Sequence, residues 1–97
     1  MQLYAIRRRN GWKDGPELQA AAERSTAEGE KMPEDVRWIR SYVLAEEDGT
    51  LGTICIYQAS SPEKIREHAA LVGMPADEIG VVADTVVVRP DPELAAV

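Results

Sequence analysis

The chain has no phenylalanine, one cysteine, one histidine and no long apolar run. Each shortage excludes something. Cys55 alone cannot form an internal disulfide, and a metal site of the CxxC type is impossible. No apolar stretch approaches the ~20 residues of a membrane-spanning helix. The most valine-rich run, Val81 to Val88, is far too short and contains Asp84. The N-terminus, MQLYAIRRR, places its charges after its apolar residues, the reverse of a secretory signal. A cytoplasmic protein is the expectation. Basic charge is also scarce, with 11 Lys and Arg against 17 Asp and Glu and a net charge of −6. Neither nucleic acid nor a membrane surface is an expected partner. Arg7, Arg8 and Arg9 do cluster, but consecutive strand residues alternate faces and make a thin patch. Phosphate binding there competes with a plain exposed strand end. There is no GxxxxGK(S/T), no GxGxxG and no nucleophile elbow.

What remains suffices for one small domain. The 97 residues are 44% hydrophobic and 29% charged, neither of which suggests disorder. Area scaling buries about two thirds of the unfolded surface at this size, enough for one modest core. We expect a domain over residues 1–89 and a loose tail over 90–97.

Local signals place the elements. Leu3 to Arg9 reads as a strand broken by Asn10-Gly11, with Trp12 in the loop that follows. Asp14-Gly15-Pro16-Glu17 opens a helix to about Glu28: Asp14 caps, Pro16 fits the first turn, and Gly29 is a plausible stop. Its stripe of Leu18, Ala21, Ala22 and Ser25 is small, which predicts close approach to a sheet. Val36 to Glu46 reads as a strand, Glu47 to Thr50 as a turn, and Leu51 to Gln58 as the return strand. Ser61-Pro62 opens a second helix with Ile65, Ala69 and Val72 on its buried side, ended by Gly73. Asp77-Glu78 reads as loop and Val81 to Val88 as the last strand. The order is βαββαβ, the ferredoxin-like α+β arrangement of a four-stranded antiparallel sheet with both helices on one face. Dimerisation through the other face, as in dimeric α/β-barrels, would cover it and can enclose a cavity.

The segment DVRWIRSYVLAEEDGTLGTICIYQASSPEKIREHAALVGMPADEI, Asp35 to Ile79, resembles the domain of unknown function 4242 family, some of whose members bind nickel. The resemblance lies in the aromatic strand ending in Glu-Glu, the hairpin, the run A-x-S-P-E-x-I-R-x-H into a helix, and A-D-E-I before the last strand. It implies a ferredoxin-like fold, a homodimer, and nickel or another divalent transition metal as a possible cofactor. His68 matches the first of two helical histidines in the metal-associated members, and Val72 stands at the second. The resemblance therefore names His68 as the candidate metal ligand.

Face assignment follows from an assumed register. With Glu46 opposite Leu51, Leu44 meets Thr53, Tyr42 meets Cys55 and Arg40 meets Tyr57. Trp38, Arg40, Tyr42, Cys55 and Tyr57 would then share the open face, leaving Ile39, Val43, Ile54 and Ile56 for the helices. Aromatic walls with few polar groups suit a small ligand, with Arg40 holding an anion. The same composition suits a plain dimer interface. His68 would be an acid, base or ligand, or a packed histidine. Cys55 reads as a buried thiol, on the face away from His68. The functional expectation is a non-enzymatic ligand- or metal-binding homodimer with its cavity at the sheet face. The alternatives are a cofactor-free enzyme acting on a small apolar or aromatic substrate, and a structural interaction module.

Overall fold

A computed structural model describes residues 1–92. The last five residues of the expected tail, 93–97, lie outside the described residues. Six elements follow one another: β1 (Gln2–Trp12), α1 (Gly15–Glu30), β2 (Val36–Ala45), β3 (Leu51–Ala59), α2 (Pro62–Val72) and β4 (Glu78–Val81). The strands form one antiparallel sheet in the order β2-β3-β1-β4. This is the ferredoxin-like α+β fold.

The helix starts follow the local chemistry. The Asp14 carboxylate accepts from the Glu17 N–H at 3.0 Å, and Ser61 Oγ accepts from the Lys64 N–H at 3.3 Å, with a proline in each first turn. Gly73 closes α2 at φ 82°, a left-handed position that glycine takes without steric cost. Gly29 does not stop α1, which runs on to Glu30.

Three strand expectations need correction. Asn10-Gly11 does not end β1. Asn10 takes φ 49° inside an irregularity between Arg8 and Trp12, and pairing resumes at Trp12 and Leu51 with Trp12 buried. The last strand is Glu78–Val81, where we expected loop at Asp77-Glu78 and strand from Val81 to Val88. Its partner explains this. Tyr4–Arg7 of β1 pair with Val81–Glu78, Val82 N–H donates to Leu3 O, and β1 begins at Gln2, so nothing remains for the later valines to pair with. Val86, Val87 and Val88 instead stay exposed.

The third correction sets the faces. The hairpin loop holds three residues, with Glu46 N–H bonded to Thr50 O and Gly49 at φ 88°. The expected pairing of Glu46 with Leu51 is therefore off by one, and every later pair with it. Tyr42 meets Ile54, Ser41 meets Cys55 and Val43 meets Thr53. A bulge between Trp38 and Arg40 shifts the register again, so that Trp38 meets Tyr57. One slip moves a strand's whole side-chain set to the other face. Trp38, Cys55 and Tyr57 thus lie on the helix-covered face, while Arg40 and Tyr42 lie on the open face beside Ile54 and Ile56.

The core sits under α2. Tyr4, Ile6, Val36, Cys55, Tyr57, Ala59 and Ile65 form one buried cluster, flanked by Met32, Ala76 and Ile79.

Candidate functional site

The α1 stripe does not close on the sheet. Leu18, Ala21, Ala22 and Ser25 are too short to fill the space beneath them, and a cavity of about 210 Å³ remains between α1 and strands β1, β3 and β2. Its sheet-side wall includes Trp12, Trp38, Ser41, Val43, Thr53, Cys55 and Tyr57. Trp38 and Val43 are 42% and 54% exposed, which puts the mouth at the β2 edge.

Arg8 lines this cavity. In β1 it follows Tyr4 and Ile6 at strand period, so it points to the same face as those buried residues. It is 1% exposed. Its Nη1 donates to the Pro75 carbonyl, and its guanidinium lies 5.8 Å from the Tyr57 ring centroid. Nε and Nη2 have no partner among the described residues. A desolvated, unpaired charge costs on the order of several kcal/mol. The flanking arginines are differently placed: Arg7 Nη2 donates to both Glu46 carboxylate oxygens, at 2.9 and 3.2 Å, and Arg9 pairs with Glu78 at 2.8 Å.

Hydrogen bonds hold the rest of the wall. Trp38 Nε1 donates to Ser41 Oγ at 2.7 Å, Ser41 Oγ to Cys55 Sγ at 3.0 Å, and Cys55 Sγ to Thr53 Oγ1 at 3.2 Å. The Tyr57 hydroxyl bonds Ser25 Oγ at 3.2 Å, and its ring stacks on Trp38 with centroids 6.2 Å apart. Burial pushes the Tyr57 hydroxyl above the usual phenol range, against the Ser25 hydrogen bond and the Arg8 charge, so it is neutral at neutral pH.

His68 is buried on α2, its ring 5.9 Å from that of Tyr57 and its Nε2 3.0 Å from the Ser25 carbonyl. It shares a sheet face with Cys55, contrary to the expected separation. No three His, Cys, Asp or Glu side chains gather into a possible metal site among the described residues. Arg40 and Tyr42 both reach Asp91, at 3.0 and 2.7 Å, where the segment after β4 crosses the open face. The five expected ligand residues are therefore split three to two. Sequence reasoning left Arg8 in an exposed basic run, although the alternation Tyr4, Ile6, Arg8 was there to single it out.

Known proteins give two findings and one blank. No curated protein matches the chain. The crystal structure of SCO4226 from Streptomyces coelicolor A3(2) superposes with a TM-score of 0.67 at 19% identity, covering 87% of this chain and 99% of that one. At that identity the likeness supports the fold alone. The family model described as nickel responsive protein SCO4226-like matches residues 4–82. The match spans most of the chain, so this protein belongs to the SCO4226-like family of nickel responsive proteins.

Proposed function

We propose that this protein is a non-enzymatic binding protein, working as a homodimer, that holds a small ligand in the cavity between α1 and the sheet. The observation that carries this reading is the cavity itself: about 210 Å³, walled by aromatic rings, a thiol and short aliphatics, with a few hydroxyls and one arginine. Among the described residues its lining includes no histidine and no carboxylate, and the Tyr57 hydroxyl is kept neutral by burial and hydrogen-bonded to Ser25, which supports binding over proton-transfer chemistry.

The family description points to nickel, which takes imidazole, nitrogen and oxygen donors in planar or octahedral sets. The described residues do not fit it. His68 Nε2 is directed at the Ser25 carbonyl, Val72 one turn on is apolar and buried, and among the described residues His68 belongs to no group of three His, Cys, Asp or Glu side chains. A single copy of this chain thus offers nickel no seat among the described residues.

The dimer reading is supported by the open face. Ile39, Tyr42 and the consecutive Val86, Val87 and Val88 remain exposed there, an apolar patch suited to a second copy. A free, buried Cys55 suits a cytoplasmic protein.

Native mass spectrometry tests the assembly: we expect a dimer, with no stoichiometric nickel after the metal is added. A bare monomer would overturn the dimer, and one nickel per chain would overturn the exclusion of metal. Trp12 and Trp38 line the cavity, so fluorescence tests the site. Small aromatic probes, charged or neutral, should change the emission saturably. A flat response to all of them would remove the cavity reading.

A further inference from the structure

We propose that the cavity is a site for a small organic carboxylate and that Arg8 recognises its charge, an inference that rests on the cavity reading above. Three observations converge. The first is the pair of atoms left unpartnered. Nε and Nη2, both buried and without a partner among the described residues, form the side-on edge of the guanidinium, the edge that can pair with both oxygens of one carboxylate once the wall beside Arg8 shifts to admit it. Nη1, on the other edge, is occupied by the Pro75 carbonyl, which fixes the fork.

The second is the missing counter-charge. Acidic residues outnumber basic ones, 17 to 11, and Arg7 and Arg9 on either side each hold a carboxylate. Arg8, the most buried of the three, has none among the described residues. An anion is what its position lacks.

The third is the wall. Leu18, Ala22, Val43 and the Trp12 and Trp38 rings border the space, so the anion carries an apolar body. Inorganic phosphate would leave most of its oxygens facing carbon. An engineered cavity of about 150 Å³ holds benzene. About 210 Å³ therefore has room for a ring and a short acid chain, or a branched aliphatic acid of that size.

Isothermal titration of the full chain at neutral pH with 3-phenylpropanoate and its amide, 3-phenylpropanamide, separates the claims. The two probes share a body and differ in charge. We expect the acid to bind at least about tenfold more tightly than the amide. In Arg8→Met that preference should disappear while amide binding persists. Equal affinity of acid and amide for the wild type would overturn the carboxylate assignment and leave the cavity reading intact. A preference surviving in Arg8→Met would overturn the role of Arg8. Binding of neither probe would remove the cavity reading and this inference together. Should Arg8→Met fail to fold, the wild-type comparison decides alone, with the Arg8 Nε–H resonance as a second readout. That signal should shift with the acid and not with the amide.

Discussion

The two helices cover the same sheet face and treat it differently. α2 has 11 residues and buries four of them, Ile65, His68, Ala69 and Val72. α1 has 16 residues and buries two, Ala21 and Ser25. Beneath α2 the apolar side chains meet in one closed cluster. Beneath α1 they stop short, and the space they leave is the candidate site. Helix length is therefore a poor guide to what a helix contributes. Side-chain size on the inward stripe decides, because an interior that is not filled loses contact on both walls. α2 serves as the keystone of the fold and α1 as the roof of a chamber.

Truncation tests this contrast most strongly. Ile65 is 1% exposed within the core cluster, and Ile65→Ala should cost about 2–5 kcal/mol in urea unfolding. Leu18→Ala, over a space already empty, should cost about 1 kcal/mol or less. Equal losses would break the comparison. Enlargement should be costly on one side and nearly neutral on the other. Ala69→Leu under α2 has no room and should destabilise by about 1–3 kcal/mol. Ala22→Leu should fill the cavity at a change within about 0.5 kcal/mol. It should also abolish the fluorescence response to aromatic probes. A stable Ala22→Leu protein that still responds would place the probes elsewhere.

What the sequence made legible was local. Asp14, Ser61 and Gly73 act within a turn of their own position, so three of the four helix ends could be read residue by residue, while α1 runs past the expected stop at Gly29. The first three strands were equally readable from alternation, but the fourth was not: β4 is Glu78–Val81 and shares only Val81 with the run expected. Register was not, because it depends on a loop of three residues where four were equally natural, and on a bulge at Ile39 that no residue type announces. Those two features placed Trp38, Cys55 and Tyr57 together on the covered face and sent Arg40 and Tyr42 to the other. The cavity was illegible for a related reason. A small-residue stripe predicts close approach as readily as it predicts a gap, and only the depth of the sheet's own side chains chooses between them. Arg8 was hidden by its neighbours, since three arginines in a row read as one exposed feature although the middle one points inward.

The smallest expected effect concerns what braces the chamber. At the hairpin end of the sheet, next to Arg8 and Thr53, polar contacts take over from packing. Glu46 accepts from Asn10 N–H at 2.9 Å and, at both carboxylate oxygens, from Arg7 Nη2, and Gly52 leaves room for them, since a Cβ there would meet Glu46 Oε2 at 2.7 Å and Arg7 Nη1 at 2.8 Å. The Asn10 backbone bond, then the Arg7 hydrogen bonds, hold the Glu46 carboxyl below its ordinary range. A carboxylate whose folded pKa lies below its unfolded one adds stability that is fully present above the unfolded value, about 4.3. That stability is lost as the pH falls through the folded value. Acid should therefore loosen the α1 half before the α2 half. Amide exchange followed between pH 6 and pH 3 should show protection falling earlier at Arg8 and Thr53 than at Tyr4 and Tyr57. Glu46→Gln should flatten that difference, because the glutamine cannot titrate. Protection lost in step at both ends, or an undiminished difference in Glu46→Gln, would mean that the chamber is braced by something other than this carboxylate.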